Sequence, residues 1–512
     1  MGYAIQATVA AWLMATLTTS ALMVALVQTA STLPTLLFGL AAGALADIAD
    51  RRRIILVTQF MLVAVTAVLG VAELLGIVGP FALLAATFVI GAGFTFYLPA
   101  QQASINDLVG RADLARAIGL GAAAFNIARA IGPAIAGAMA AWLGSGSALL
   151  AGALCFVAMI FALRALKRRE AGIPGVRDTL LSGIRSGLRY ARHSPPMRAV
   201  INRSVTFSLC ASGLWALLPV IARDQFGLGA GGFGMLSASF GIGAIVGALV
   251  IPRQLHRVSL NTTVTAGFYL WMIATLLIAW TDAVAVAVIG TCAAGVAWVA
   301  VFSSLTAGTQ SAAPSWVRAR AVAMTMVAMQ ASLAMGSVIW GWVASHSDTR
   351  TALGASAVAM LLLLGVSYRV SVRMGEEAEV TPGMQLPELT ISVEPLPDDG
   401  PVLIQVQYQI DPANRDAFLR AIHAMEPSRR RNGASDWRVF RDIGVDGRFV
   451  ERFILTSWAE YVRLRTRMTL SDRRANDRVE QFQRQDVPIL VSRLISTRSS
   501  DNPPEKRREE FD

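Results

Sequence analysis

The chain has 512 residues, of which 54% are hydrophobic and only 15% are charged. A soluble chain carries about 25% charged residues, so the composition excludes an ordinary soluble protein. The charges are also unevenly placed. Residues 1–369 hold 23 Lys and Arg against 10 Asp and Glu, whereas residues 370–512 hold 22 and 24. We therefore predict a membrane region that ends near residue 370 and a water-soluble region after it.

The net charge of +11 does not indicate nucleic-acid binding, because most of the excess lies in connections between apolar segments, where it sets topology. The three cysteines, Cys155, Cys210 and Cys292, all fall inside apolar segments. Neither they nor the four histidines show metal-ligand spacing. The sequence predicts no metal site and no cofactor.

Spanning a bilayer takes about 20 apolar residues. Twelve segments qualify: 3–19, 21–46, 54–75, 81–103, 117–143, 146–164, 199–222, 232–252, 262–280, 283–307, 321–344 and 350–369. One alternating set of connections holds nearly all the arginines, including Arg51–Arg53 and the run Arg164–Arg203. The other set holds only Arg223 and Arg350. The positive-inside rule makes the first set and both termini cytoplasmic. Only Met1 and Gly2 precede the first segment, and a native start upstream of Met1 would explain its missing basic flank.

The two halves of this region repeat at an offset of 204 residues. Gly132 and Gly137 match Gly336 and Gly341, and the pair Gly39, Gly43 matches the pair Gly243, Gly247. The repeat predicts two six-helix halves, 1–164 and 199–369, as in transporters that bind substrate between two repeats. The linker, 165–198, contains an amphipathic stretch, Asp178–Arg192, suited to a helix on the membrane surface.

The connection after the second segment combines a glycine, two carboxylates and three arginines: Gly43, Asp47, Asp50, Arg51, Arg52 and Arg53. Arginines there can bond to a carboxylate or to helix C-terminal carbonyls, which would form a latch between conformations. A positive-inside anchor alone is an equally good interpretation. The sequence leaves both open.

Arg129 lies in the middle of the fifth segment, where a charge costs about 2.5–3.5 kcal/mol on insertion scales. Asn126 and Pro133 share its helix face. We predict a role for Arg129 in substrate binding or conformational change, with pairing to a neighbouring carbonyl or amide as the alternative. Gly132-Pro133 removes a backbone hydrogen bond and predicts a kink with close packing.

Other polar or aromatic residues within the segments are candidates to line a substrate cavity, although aromatic residues there more often serve packing. They are Gln6, Gln28, Tyr97, Gln101, Trp215, Trp298 and Gln330. Proton coupling usually requires a carboxylate in the membrane. The acidic residues before position 370 lie at segment ends or in connections, Glu73 being the deepest.

These motifs resemble known ones. Gly43–Arg53 resembles the major facilitator signature G-x-L-A-D-x-x-G-R-[RK]-[RK], with Asp50 in place of a glycine. Ala128–Gly137 resembles the exporter motif G-x-x-x-G-P-x-x-G-G, with Ala128 and Ala136 in place of glycines. With Trp12-Leu13, Ser31–Pro34, Leu98–Ala103, Ala216–Pro219 and Asp399–Val402, the whole chain looks closest to the enterobactin-exporter-like branch, and within it to the transmembrane secretion effectors.

The resemblance implies an all-α major facilitator fold in a bacterial cytoplasmic membrane. It also implies export of siderophore-like or drug-like compounds, driven by the proton gradient. Transporters of this type line the cavity with helices 1, 4, 7 and 10, which favours Tyr97, Trp215 and Trp298. Two alternatives remain: a solute importer, which the exporter motif argues against, and a membrane-tethered sensor or enzyme acting through the soluble region.

The soluble region begins with an acidic, proline-rich linker, 370–400, and ends with a charged tail, 498–512. Between them, 401–497 reads β-α-β-β-α-β, which predicts a ferredoxin-like fold. Asp411 is a candidate N-cap for the first helix. The domain is similar to dimeric α/β-barrel domains, so a homodimer or ligand sensing is expected. His423 is its only histidine and no nucleophile–base pair is present, so we do not predict an enzyme.

Overall fold

The structure, a computed structural model, describes residues 1–108, 114–165, 180–254, 257–314, 316–367, 372, 381 and 395–496. Up to residue 367 this part forms helices α1 Gly2–Leu17, α2 Ala21–Ile48, α3 Arg51–Leu74, α4 Pro80–Leu108, α5 Leu114–Leu143, α6 Ser145–Ala165, α7 Leu180–His193, α8 Pro195–Val220, α9 Ala230–Gln254, α10 Leu260–Trp280, α11 Val284–Ala312, α12 Arg318–His346 and α13 Thr349–Ser367. A π-helical turn, Ile221–Gln225, extends α8.

Ten helices in the described part of the chain are long and apolar enough to cross a bilayer. Two shorter apolar helices, Gly2–Leu17 and Ile131–Leu143, stand where the first and fifth spans are predicted. Side chains define several starts: Ser20 accepts from the Met23 amide, and Ser259 accepts from the Thr262 amide. These hydroxyls satisfy amides that would otherwise be unbonded at a helix N-terminus. The chain is a multi-pass membrane protein.

The 204-residue repeat corresponds to equivalent close contacts in the two halves. An added Cβ at Gly132 of α5 would lie 2.6 Å from Ala4 Cβ of α1, and one at Gly336 of α12 would clash with the Leu209 carbonyl of α8. Likewise Gly91 of α4 approaches the Ser31 carbonyl of α2, and Gly295 of α11 approaches the Phe240 carbonyl of α9. In each case glycine lets two helices approach at backbone distance.

The chain divides into two compact units. The first comprises residues 1–180, 199–308 and 322–373; the second comprises 181–198, 309–321 and 374–512. Helix α7 and the α11–α12 connection therefore belong to the second unit, together with the soluble domain. That Asp178–Arg192 lies on the membrane surface stays a prediction, but Tyr190 within it faces protein. This residue is only 1% exposed, and its hydroxyl donates to the Ala312 carbonyl at 2.6 Å.

The soluble domain contains β1 Val402–Gln409, α14 Arg415–His423, α15 Glu426–Arg431, β2 Ser435–Arg441, β3 Arg448–Leu455, α16 Trp458–Arg467, α17 Leu470–Glu480 and β4 Leu490–Ile495. The strands form one antiparallel sheet in the order β2-β3-β1-β4. This order confirms the predicted ferredoxin-like fold. Alternate residues of β1 and β3 pack against the helices around Phe418 and Ile422.

Two local predictions for this domain need correction. Asp411 makes no side-chain cap, because a 3-10 turn, Pro412–Asn414, separates it from α14. The single helix predicted over Pro412–Met425 is also divided, since α14 ends at His423 and a further helix, α15, begins at Glu426. Arg429 and Arg431 of α15 reach buried carboxylates elsewhere in the domain.

Candidate functional site

The two six-helix halves contact each other at the end of the bundle that carries the α1–α2 connection, residues 18–20, which we call the distal end. One close approach joins α5 to α9, where an added Cβ at Gly137 would lie 2.6 Å from Gly234 Cα and 2.8 Å from the Ala230 carbonyl oxygen. The Pro133 carbonyl oxygen would lie 3.0 Å from a Cβ at Gly234. The predicted exporter motif thus supplies the backbone surface on which the second half packs.

The equivalent contact joins α12 to α2. Gly341, the repeat partner of Gly137, leaves room for Ala25, whose Cβ would lie 2.5 Å from an added Cβ. Arg223, in the π-helical turn, donates from Nη1 to the Thr18 carbonyl at 2.9 Å. The Trp12 and Phe233 rings stack at 6.0 Å. The distal end is therefore closed by a pair of contacts related by the repeat, and π-helical turns of this kind are frequent at functional sites.

Two arginines of the predicted latch bond to helix carbonyls, as both the latch and the anchor interpretation allow. Arg51 donates from Nε to the Ala46 carbonyl at 3.1 Å, and Arg52 donates from Nη2 to the Leu163 carbonyl at 3.0 Å. Both acceptors lie near helix C-termini, where a cation is favoured. Asp50, at the glycine position of the signature, caps α3 by accepting from the Arg52 and Arg53 amides. This provides a physical reason for the substitution.

The other two positions of the predicted latch, Asp47 and Gly43, make no described contact of this kind. The Asp47 side chain lies outside what the structure describes, so its bond to an arginine stays a prediction. At Gly43 an added Cβ would meet no described atom within 4 Å. The close packing expected at Gly43 is therefore not found in the described part of the chain.

On α5 the side chains of Asn126 and Arg129 also lie outside the described residues, and their roles stay predictions. Gly132, Pro133 and Gly137 are described. Gly132 packs on α1, whereas Gly137 packs on α9. The two glycines of the motif therefore allow close packing on both sides of α5. Gly132 faces a helix of the same half, and Gly137 faces a helix of the other half.

The structure brings together two of the predicted cavity residues, Trp215 of α8 and Trp298 of α11, with ring centroids 5.9 Å apart. They belong to a larger cluster of rings from four helices of the second half, which we call the aromatic cluster: Phe207, Trp215, Phe240, Phe268, Trp271, Trp298 and Phe302. The buried Trp215 Nε1 has no acceptor among the described residues.

Tyr97 is not part of this cluster. It packs in the first half beside Ala46, Ile55 and Leu163, and its ring lies 6.0 Å from that of Phe94. Gln28, Gln101 and Gln330 are half-buried, and Gln6 is 1% exposed. The predicted cavity residues therefore occupy several places in the first compact unit, which we call the membrane unit.

Sequence reasoning missed Arg203, which it assigned to the basic run of the linker. The residue lies two turns inside α8 and is fully buried. Within the part of the chain that the structure describes, none of its guanidinium nitrogens has a hydrogen-bond partner. Its Cζ lies 5.8 Å from the ring centroid of Phe268. The available signal was its position inside the predicted span 199–222.

A buried polar network lies in the soluble domain. Glu451 of β3 is 0% exposed and accepts from Arg429 at 2.9 and 3.2 Å, from Trp437 Nε1 at 2.9 Å and from the Tyr408 hydroxyl at 3.2 Å. Burial alone would lower the pKa of Arg429, but the Glu451 carboxylate raises it above its ordinary value. Because the carboxylate is fully paired, the network is a structural one.

The repeat-related glycine contacts and the signature region define a membrane transporter of the major facilitator type. The chain belongs to the transmembrane secretion effector family of that superfamily, whose sequence profile matches residues 1–501. It is 28% identical over 372 residues to the multidrug efflux pump Tap of Mycolicibacterium fortuitum, covering 69% of this chain and 88% of Tap. It is 25% identical over 266 residues to the staphyloferrin A transporter of Staphylococcus aureus, covering 52% of this chain and 67% of that protein.

Solved structures show the same fold at low identity. The nucleoside transporter NupG aligns with a TM-score of 0.58 and 14% identity, covering 72% of this chain and 96% of NupG. A bacterial homologue of the iron transporter ferroportin, in an inward-facing state, aligns with a TM-score of 0.56 and 16% identity, covering 73% and 97%. These likenesses support the fold alone.

Proposed function

We propose that the chain exports small molecules by alternating access, with the distal interface opening and closing between the two halves. The observation that carries the proposal is the repeat-related pair of glycine contacts, α5 to α9 and α12 to α2. Such contacts are tight enough to seal one side of the bundle. The side-chain contacts that join the halves beside them are individually weak: Arg223 and Thr29 donate to the Thr18 and Ala334 carbonyls, and Trp12 stacks on Phe233. The two halves can therefore separate as rigid surfaces.

The substrates we propose are siderophore-like or drug-like compounds. The names of the relatives, a multidrug efflux pump and a siderophore transporter, support this class. The aromatic cluster supports it too: it is mostly buried in this structure, and its rings would form an apolar lining for such molecules on opening. Import of a solute is the alternative, and the direction of transport in vesicles separates the two.

A disulfide across the distal interface tests the mechanism. An added Cβ at Gly231 would lie 3.6 Å from Ala141 Cβ, within the range that a disulfide needs. In a background lacking the three native cysteines, the pair Ala141→Cys and Gly231→Cys should cross-link under oxidation and hold the distal side closed. We expect efflux of ethidium from proteoliposomes or cells to stop, and to return when a reductant is added.

A pair inside one half provides the matched control. An added Cβ at Gly213 of α8 would lie 3.3 Å from Ser356 Cβ of α13, and both helices belong to the second half. Oxidation of the pair Gly213→Cys and Ser356→Cys should leave efflux unchanged, because the halves stay free to move. Efflux that survives a complete 141–231 cross-link would contradict the proposed movement.

We also propose that the transporter lies in the bacterial cytoplasmic membrane with both termini in the cytoplasm, as the arginine-rich connections favour, and that it exchanges substrate for protons. Glu73, half-buried in the last turn of α3, is the candidate coupling residue. Efflux should then fall when a protonophore collapses the gradient, and Glu73→Gln should uncouple it. Efflux that is indifferent to the protonophore would exclude proton coupling.

For the soluble domain we propose self-association through the face of the sheet that lies opposite its helices. This face carries Phe440, Leu490 and Leu494, which are 42%, 54% and 51% exposed. A second copy would cover these side chains, and Phe440→Asp should shift the purified protein from dimer to monomer by mass photometry. If the protein is already monomeric in detergent and in nanodiscs, this part of the proposal is wrong. A tethered enzyme remains the alternative role for the domain.

A further inference from the structure

Arg203 is a buried charge for which the described residues supply no hydrogen-bond partner. Counting from Pro195 at 1.5 Å per residue, it lies about 12 Å along α8 and four residues inside the predicted span 199–222. It is 0% exposed, and Nε, Nη1 and Nη2 all lack acceptors among the described residues. By contrast, Arg198, five residues earlier on the same helix, is exposed.

An unpaired guanidinium at this depth is costly, because it has lost its water without gaining a counter-charge. Membrane proteins keep such residues where they serve a substrate, an ion or a moving element. Packing does not explain the residue, since a leucine or methionine would fill a similar volume at no electrostatic cost. The buried charge therefore points to an anionic partner that arrives during the transport cycle.

The surroundings indicate what else that partner carries. The Arg203 guanidinium lies over the Phe268 ring at 5.8 Å, a cation–π contact that orients the planar group. Phe207, one turn further along α8, contacts both Phe268 and Trp298 at 5.2 and 5.7 Å. Arg203 thus stands at the edge of the aromatic cluster, where one ligand could place an anion on the charge and a ring among the aromatic side chains.

We propose that Arg203 is the anion-binding residue of the transport site and that the preferred substrates are aromatic carboxylates. The guanidinium fork matches the two oxygens of a carboxylate, and the aromatic cluster takes the attached ring. The assignment rests on the proposed export function and narrows its substrate class. Arg203 binds the carboxylate when the cluster opens to one side of the membrane and releases it on the other.

The test compares two probes of the same shape, radiolabelled salicylate and its neutral amide, salicylamide, on the full chain in nanodiscs. The wild type should bind salicylate at least tenfold more tightly. Arg203→Gln should abolish the difference, and Arg203→Lys should keep part of it, because the charge remains while the fork is lost. Arg198→Gln, the exposed control on α8, should bind both probes like the wild type.

Several outcomes overturn the assignment. A wild type that does not prefer salicylate, or an Arg203→Gln variant that keeps the full preference, excludes it. If Arg203→Gln does not fold, the preference for salicylate over salicylamide in the wild type and in Arg203→Lys still tests the assignment. Nanodiscs of phosphatidylcholine alone and with phosphatidylglycerol serve as a further arm: salicylate binding that anionic lipid suppresses competitively would assign Arg203 to a lipid headgroup. Ethidium efflux, measured in parallel, reports whether the export function itself stands.

Discussion

The membrane unit and the soluble domain each bury an arginine against an aromatic ring, but only one of the two is paired. Arg429 lies over Phe453 at 5.5 Å and forms a two-bond ion pair with Glu451. Arg203 lies over Phe268 at a similar distance and has no described partner for any nitrogen. A paired buried charge holds a fold together, whereas an unpaired one is a cost that the fold bears for another purpose.

The largest expected effect is on the paired side. Glu451→Gln leaves the Arg429 charge buried without a carboxylate, which costs about 3–5 kcal/mol of folding free energy. Hydrogen exchange of the full chain should show β1 and β3 losing protection. Asp436→Asn, at an exposed pair with Arg438, should change protection little. Equal effects of the two substitutions would show that burial of the pair does not matter.

Arg203→Met should have the opposite sign. Removing an unpaired charge from the membrane unit is expected to raise the stability by up to roughly 2.5–3.5 kcal/mol, the insertion cost of an arginine. The melting temperature in detergent checks this, with Arg198→Met as the matched control. A loss of stability similar to that of Glu451→Gln would mean that Arg203 has a structural partner, and the contrast between the two arginines would disappear.

The membrane unit relies on backbone contact where the soluble domain relies on charge. Gly137→Ala places a methyl group within 2.6 Å of Gly234 Cα, and forcing the helices apart should cost about 1–3 kcal/mol. We expect slower efflux and a lower melting temperature. Gly365→Ala in α13, where no described atom lies within 4 Å, is the control. If both variants behave alike, close packing at the distal end is not what closes it.

The smallest effect concerns Asp472, a buried carboxylate of α17. Burial alone would raise its pKa, but Arg431 and hydrogen bonds from Ser428 and the Thr469 amide outweigh burial and hold the pKa below its ordinary value. Its stabilisation is therefore present above about pH 4, the unfolded pKa, and is lost as pH falls through the lower folded value. Asp472→Asn keeps an oxygen for the Thr469 amide but removes the charge opposite Arg431.

The loss of protection in α17 at acid pH, followed by hydrogen exchange, measures the effect. In Asp472→Asn this pH dependence should be absent, because the amide does not titrate. A variant that loses protection on acidification as the wild type does would assign the pH dependence to other carboxylates of the domain.

Sequence reasoning identified the features that depend on local pattern. Apolar length predicted the spans, the fixed offset predicted two six-helix halves, and period-two alternation predicted β1. It failed where the partner is distant in the chain. Nothing local indicates that Arg429 would meet Glu451, or that Tyr97 would pack beside Leu163 and not with Trp215. Arg203 was missed because arginine was interpreted as a marker of topology throughout the linker.

The second unit has a consequence for how this protein can evolve. Glu460 of α16 holds Arg189 of α7 at 2.5 Å and Arg467 at 3.1 Å, and the Arg467 guanidinium lies 4.2 Å from the Trp316 ring centroid, in the connection between α11 and α12. Three segments that are far apart in the sequence are thus joined by these side-chain contacts. Residues 189, 316 and 460 should therefore covary among homologues. In homologues without the soluble domain, we expect Arg189 and Trp316 to be replaced by other residues.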